Sequence, residues 1–257
     1  MATLKGKCIF ISRELGKAQD FILPLENKGA TVYPLPLIRF VRWDRDKNHI
    51  ILDNLSRFDW IVFTSANGVK YFFETIEAHQ TSNSSLSSTR FAVVGTKTEA
   101  MLFEYGYKAS FVPETFDANH FSKDFIKKMP LTNVLVVKGN LSRDVIDQAL
   151  EEESIDYTNI FVYQTLTNEE VKDPLINYVN QRLIDGYVFT SPSSLNAFEE
   201  LLGEIPLDVL ETPCFCIGET TQAKAIEIGF NQTYFPKNFT LEGLSQFVIN
   251  YYSGKES

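Results

Sequence analysis

Asp185-Gly-Tyr-Val-Phe-Thr-Ser-Pro-Ser-Ser-Leu-Asn196 is a short apolar run that ends in hydroxyls immediately before a helix-like segment. It reads as a strand that stops at Thr190-Ser191 and hands over to a helix N-terminus. The same text stands 126 positions earlier as Asp59-Trp-Ile-Val-Phe-Thr-Ser-Ala-Asn-Gly-Val-Lys70, so the chain holds two copies of one unit. Other pairs extend the copies. Val93-Val-Gly-Thr-Lys-Thr-Glu-Ala100 with Gly106 is answered by Cys216-Ile-Gly-Glu-Thr-Thr-Gln-Ala223 with Gly229, and Pro113 and Phe116 by Pro236 and Phe239. Lys7-Cys-Ile-Phe-Ile-Ser-Arg13 parallels Asn133-Val-Leu-Val-Val-Lys-Gly139. Repeats of this length are too long for a solenoid array and imply a duplicated α/β domain.

A chain of 257 residues with 44% hydrophobic content can build a core in each of two domains. The net charge of −9 argues against a general nucleic-acid or anionic-membrane binder, since both need a basic surface. An anionic ligand must then be met by local donors. Cys8, Cys214 and Cys216 lie in or beside apolar runs and read as buried reduced thiols. No apolar run approaches the roughly 18 to 20 residues of a membrane span. The opening Met-Ala-Thr-Leu-Lys-Gly-Lys lacks a signal-peptide apolar core, which places the protein in the cytoplasm as an expectation.

Cys8 to Ile11 suits a strand covered on both faces, and Gly16 to Lys28 a helix stopped by Gly29. Thr31 to Ile38 is extended, with two prolines that exclude a central strand. Asp46 to Leu55 reads as a short helix, Asn67 to Glu77 as a helix, and Thr81 to Thr89 as a solvated loop. Strands at Phe91–Gly95, Ala109–Val112 and Val134–Val137 alternate with helices at Thr98–Tyr105 and His120–Met129. That alternation implies parallel βαβ units with right-handed crossovers.

In an open parallel sheet a ligand binds beyond the carboxyl ends of the strands, where helix N-termini gather. Hydroxyls and glycines recur there: Ser12-Arg13, Thr64-Ser65-Ala66-Asn67-Gly68, Gly95-Thr96-Lys97-Thr98, Lys138-Gly139-Asn140-Leu141-Ser142-Arg143, Thr190-Ser191-Pro192-Ser193-Ser194 and Gly218-Glu219-Thr220-Thr221. Backbone N–H groups and the helix dipole make such turns anion sites even in an acidic protein. Any one of them alone is an ordinary helix cap. Their recurrence in both copies points instead to a large ligand with several negative groups, held in a cleft. There is no dinucleotide glycine fingerprint, phosphate loop or nucleophile elbow, and His49, His79 and His120 stand apart in the sequence, so no metal site is expected. Tyr163 ends the extended Ile160-Phe-Val-Tyr-Gln-Thr165, where spacing leaves open a packing or a functional role. Tyr71, Tyr105 and Tyr107 read as packing residues.

Phe63-Thr-Ser-Ala-Asn-Gly-Val69, Val94-Gly-Thr-Lys-Thr98, Val162-Tyr-Gln-Thr165, Phe189-Thr-Ser-Pro192 and Ile217-Gly-Glu-Thr-Thr221, in that order, resemble the uroporphyrinogen-III synthase family from Arg13 to Gly243. The resemblance implies an α/β fold of two similar parallel-sheet, flavodoxin-like, three-layer domains joined by a two-stranded linker. One domain would be residues 1–36 with 168–257, the other 40–163, and the linker strands 34–42 and 160–168. Periodicity by itself also allows a plain tandem split near residue 125. The implied reaction closes linear hydroxymethylbilane to uroporphyrinogen III with inversion of ring D and loss of water, in tetrapyrrole and haem biosynthesis, without cofactor. The resemblance gives Tyr163 the role of candidate acid. Arg13, Ser65, Asn67, Thr98, Lys138, Gly139, Ser191, Ser193, Gly218, Thr220 and Thr221 would bind substrate. Lys138-Gly139 stands where the family often has Arg-Gly, which keeps the charge and loses a bidentate fork. The expected state is a monomer, meeting no nucleic acid or membrane, with a transient contact to the upstream enzyme that makes hydroxymethylbilane. The rival reading is a non-catalytic bilobed module for anionic ligands, because fold alone does not fix function; a nucleotide-dependent transferase is disfavoured by the missing phosphate loop.

Overall fold

The computed structural model describes residues 4–81, 86–113, 125–126 and 132–254. The continuous apolar runs become interior strands: β1 (Cys8–Ile11), β4 (Trp60–Phe63), β6 (Asn133–Gly139) and β8 (Gly186–Phe189). Successive residues supply opposite faces, as strand geometry requires. In β1, Phe10 joins one core cluster while Ile9 and Ile11 join another; in β4, Ile61 and Phe63 face one cluster and Trp60 and Val62 the other. Each sheet is therefore covered on both sides, which is what an apolar run without polar alternation demands.

Contacts divide the chain into two compact units, Met1–Arg39 with Leu166–Ser257, and Phe40–Thr165. The first holds a sheet ordered β10 (Thr233–Tyr234), β9 (Cys214–Cys216), β8, β1, β2 (Thr31–Pro34), with parallel pairs throughout. The second sheet is ordered β3 (Ile38–Arg42), β7 (Asp156–Thr167), β6, β4, β5 (Arg90–Val93), and β7–β6, β6–β4 and β4–β5 are parallel. Numbered along the chain within each unit, the first sheet runs 2-1-3-4-5 and the strands β5-β4-β6-β7 run 2-1-3-4, the doubly wound order. The winding reverses between β1 and β8 and between β4 and β6. Neither unit is one copy of the repeat. Each takes two strands from the leading copy, and the rest come from the trailing one, apart from β3.

The helices relevant to function follow these strands. They are α3 (Ala66–Ala78) after β4, α4 (Thr96–Glu104) after β5, α5 (Val145–Glu152) after β6, α7 (Pro192–Leu202) after β8 and α9 (Glu219–Glu227) after β9. In chain order α1 is Gln19–Glu26, α2 Asp46–Leu52, α6 Lys172–Asn180, α8 Leu207–Glu211 and α10 Leu241–Tyr252. No helix among the described residues is long and apolar enough to cross a membrane.

Some local expectations change. Helix α1 begins at Gln19 because Leu15–Lys17 forms a separate 3-10 turn, and α2 ends at Leu52, with another such turn at Leu55–Arg57. The strand expected at Ala109–Val112 is reduced to one bridge, Phe111 to Ala92; Pro113 follows it and has no N–H to extend a ladder. Of the helix expected at His120–Met129, Phe125 and Ile126 are helical and the remainder lies outside the described residues. So does most of the first half of the Thr81–Thr89 loop. All three cysteines are free, with the Sγ atoms of Cys214 and Cys216 3.9 Å apart in the core.

Candidate active site

In the second unit the ends of β4 and β6 meet at the winding reversal, where the crevice of a doubly wound sheet lies. Chain β4 hands over to α3 through Ser65, whose extended backbone makes it the N-cap; its Oγ accepts the Gly68 N–H at 3.0 Å. On the other side of this point, β6 pairs with β7 in regular register up to Lys138 opposite Phe161, and then Gly139 stands opposite Tyr163. Val162 is the extra residue of a β-bulge. A bulge lets two successive side chains share a face, and Val162 and Tyr163 both enter the core cluster built on Phe63, Val69 and Phe72.

The tyrosine is 9% exposed. Its ring stacks on Tyr71 at 5.6 Å and meets Phe40 edge-on at 6.0 Å, while Tyr71 Oη donates to the Phe40 carbonyl at 2.8 Å. Burial, then Glu74 and Tyr163, raises the Tyr71 phenol's pKa, so it stays neutral in this role. Gly139 is the floor under Tyr163: a Cβ there would lie 2.8 Å or less from the ring's Cε1, Cζ and Cε2. Tyr163 Oη is 3.3 Å from Ser65 Oγ, and either oxygen can donate. Because Ser65 Oγ already accepts the Gly68 N–H, a serine that donates to the tyrosine leaves the phenolic proton for a ligand. Asn67, half-buried, stands in the first turn of the same helix.

Lys138 requires a correction. It is 2% exposed, and its Nζ donates to Asp144 Oδ1 at 2.6 Å and Asp147 Oδ2 at 2.7 Å. An ammonium shared by two carboxylates is already neutralised and desolvated, and cannot be a free donor to a ligand carboxylate. Its place in β6 directs it onto α5, where Asn159 Nδ2 also donates to Asp147 Oδ2 at 2.7 Å. Gly139 likewise serves Tyr163 through the absence of a side chain.

In the first unit, the corresponding reversal lies between β1 and β8 and collects hydroxyls. Ser191 caps α7, accepting from Ser194 N at 3.2 Å, and its Oγ is 3.0 Å from Ser193 Oγ. Ser12 Oγ donates to Ser194 Oγ at 3.2 Å. The Arg13 guanidinium donates to the Lys17 carbonyl at 2.9 Å and to Thr190 Oγ1 at 3.4 Å, with no carboxylate paired to it among the described residues. Partial burial lowers its pKa from the ordinary value, yet a guanidinium keeps its charge in proteins. This is a cation beside a row of hydroxyls.

Thr98 and Thr221 occupy the same place in their helices, with N–H groups donating to the Gly95 and Gly218 carbonyls at 3.0 and 3.1 Å. They are 5% and 2% exposed, whereas Thr220 is exposed beside the buried Gly218. A hollow of about 440 Å³ among the described residues, between Phe73, Glu77, Gln80 and Tyr105, lies at the other end of α3 from Ser65 and contains none of these groups.

Sequence reading missed two features. His49 and His79, 30 residues apart, are paired with Nδ1 atoms 2.8 Å apart, and Asp53 faces His79 Nε2 at 3.0 Å. Among the described residues no cluster of three or more His, Cys, Asp or Glu could hold a metal ion. The role of Asn140 is the other: the residue lies in a turn expected to face an anionic ligand, and its side chain makes two hydrogen bonds to the Thr165 backbone; nothing in its spacing distinguishes it from an ordinary turn asparagine.

The profile of the family described as uroporphyrinogen-III synthase HemD matches residues 19–246. The chain is 28% identical to a chloroplastic uroporphyrinogen-III synthase of Oryza sativa subsp. japonica, over 94% of this chain and 79% of that one. It is 25% identical to a porphyrin biosynthesis protein HemD of Ruminiclostridium josui over 86% of its length, and spans 44% of that longer protein. The fold is similar to the crystal structure of uroporphyrinogen-III synthetase from Helicobacter pylori, with a TM-score of 0.68, 18% identity and coverage of 95% of this chain and 99% of that one.

Proposed function

Since the chain belongs to the uroporphyrinogen-III synthase family, we propose that it closes linear hydroxymethylbilane to uroporphyrinogen III, with loss of water and inversion of ring D, in tetrapyrrole and haem biosynthesis. The observation that carries the site assignment is the buried Tyr163, bulged onto Gly139 with its hydroxyl 3.3 Å from the helix-capping Ser65.

In this reading the pyrrole nitrogen pushes electrons toward the hydroxymethyl carbon as its C–O bond breaks. Tyr163 supplies a proton to the departing oxygen, which leaves as water. The carbon so exposed is attacked by the substituted carbon of ring D to give a spirocyclic pyrrolenine. The bond from that ring carbon to its original bridging carbon then breaks, the bridging carbon rejoins ring D at its unsubstituted α carbon, and the proton lost there balances the one given to the departing water. The protein's main task is to hold the chain in the ring-closing shape. Ser65, with Gly68 N–H behind it, orients the phenol. The substrate's carboxylates are met by Arg13, Ser191 and Ser193, by Asn67, by the backbone N–H groups at Gly218 and Thr220, and by the hydroxyls of Thr98 and Thr221, whose own N–H groups are engaged within their helix caps. Lys138 contributes by holding β6 to α5.

We further propose that the two units act as domains, with residues 34–42 and 160–168 as the strands between them. The protein works as a cytoplasmic, cofactor-free monomer and meets the upstream enzyme in passing. Incubation with enzymatically generated hydroxymethylbilane, then oxidation and separation of porphyrin isomers, tests the activity. Isomer III is expected; a product that stays isomer I, the uncatalysed outcome, rejects catalysis in favour of a binding module.

A further inference from the structure

We infer that Asn140 is a positioning residue for Tyr163, an inference that rests on the proposed role of that tyrosine. Strand β6 ends at Gly139, and the chain turns away at once: Gly139 N donates to Ser142 Oγ at 2.8 Å and Ser142 N to the Gly139 carbonyl at 3.1 Å. The neighbouring strand β7 runs on to Thr167, so its residues beyond Tyr163 have lost their partner strand on that side. Asn140 supplies the replacement. Its backbone N–H donates to the Tyr163 carbonyl at 3.2 Å, and its side-chain amide then acts as a further peptide unit. Nδ2 donates to the Thr165 carbonyl at 3.2 Å and Oδ1 accepts the Thr165 N–H at 2.8 Å.

These three bonds tie Asn140 to residues 163 and 165, immediately past the bulge. Before the bulge, β7 is tied by Asn159, which donates to the Asp147 carboxylate that also binds Lys138. The extra residue Val162 is thus confined between two anchored points. That matters because a one-residue slip turns every following side chain to the opposite face. With a regular ladder, Tyr163 would lose both its seat on Gly139 and its approach to Ser65. Asparagine is suited to the task since its amide carries a donor and an acceptor in the geometry of a peptide group.

The test combines a double-mutant cycle with a direct view of the ring. Asn140→Ala should lower turnover about tenfold, in the range that small misplacement of a reacting group produces, with little change in KM. In a Tyr163→Phe background the same substitution should cost less than about twofold, because there is no phenol left to misplace. With ring-13C tyrosine, the signal lost in Tyr163→Phe is that of Tyr163, and it should shift and broaden in Asn140→Ala. Asn140→Ser removes the peptide-like amide but keeps a short polar side chain without adding charge, so it is the variant to read if the alanine protein does not fold. An unmoved Tyr163 signal, or an equal cost in both backgrounds, overturns the inference. A wild-type rate for Tyr163→Phe combined with a shifted signal in Asn140→Ala would reject the catalytic reading of Tyr163 and leave the positioning intact.

Discussion

Tyr163 is held by ring contacts on both sides and a glycine below, so its substitutions separate chemistry from packing. Tyr163→Phe keeps the ring and removes only the hydroxyl. A positioned acid contributes about 10²- to 10⁴-fold; a phenol with a reference pKa of about 10 is a poor acid at neutral pH, and the pyrrole nitrogen already drives departure. The expected loss is therefore about 100-fold, with residual activity and an unchanged circular dichroism spectrum. A folded variant at the wild-type rate removes the tyrosine from the mechanism. Gly139→Ala acts from below: the added methyl meets the ring of Tyr163, and such overpacking costs about 1 to 3 kcal/mol. Its turnover should fall at least as far as that of Tyr163→Phe, and retention of full activity would show that the ring has another seat. Arg13, the cation at the hydroxyl row of the first unit, should carry much of the salt dependence of product binding. Arg13→Gln is expected to flatten the plot of affinity against ionic strength; an unaltered slope places the charge contact elsewhere.

Among elements, the β6–α5 contact shows how far an ordinary surface rule fails. Lys138 looks like a ligand cation in the sequence because it ends a strand beside glycine. Asp144 and Asp147 follow six and nine residues later, but only the fold brings both carboxylates within 2.7 Å of its ammonium. Asp147 is buried and Asp144 largely exposed. Asp147→Ala should thus destabilise the protein by about 3 kcal/mol or more, since it leaves a buried ammonium half-paired. Asp144→Ala should cost about 1 kcal/mol or less. Urea unfolding gives both numbers, and equal effects would mean that burial does not set the balance. The Thr-Ser strand ends and the βα alternation were legible because hydrophobic period and cap chemistry are local. The bulge at Val162 was not. It depends on which residue of β6 lies opposite, and no pattern within Ile160-Phe-Val-Tyr-Gln-Thr165 signals it. The same reason hid the His49–His79 pair, whose members look isolated along the chain.

For the molecule as a whole, buried phenols set an alkaline limit. Burial, and then Asp208, raises the pKa of Tyr187 far above its ordinary value; burial, and then Asp185, does the same to Tyr252, whose Oη donates to the Asp185 carbonyl at 2.6 Å. A hydrogen bond to Glu151, and then burial, pushes Tyr157 up to about 12. A raised pKa means that the folded state holds protons which the unfolded state releases near pH 10, so stability is complete below that value and falls as pH rises above it. Urea midpoints should be level up to about pH 9 and drop by about pH 11, less steeply in Tyr187→Phe. Midpoints that stay constant across this range would falsify the assignment. At this scale the sequence revealed the duplication clearly, through Asp59–Lys70 and Asp185–Asn196. Which copy lends which strand to which unit could be expected only from the family resemblance, because periodicity by itself is equally satisfied by a tandem cut.

The mixing of the two copies has a temporal consequence. The second unit is one continuous segment, Phe40–Thr165, and its last strand is complete at Thr167. In the first unit β1 and β2 leave the ribosome earliest, yet β1 must pair with β8, where Ile9 meets Gly186. A nascent chain therefore carries an unfinished two-stranded fragment, its apolar residues Ile9, Phe10 and Ile11 still awaiting a cover, while the segment made after it already has all of its strands. A translational pause placed after β7 would lengthen that vulnerable interval, and a chaperone that shields the first strands would have its use there.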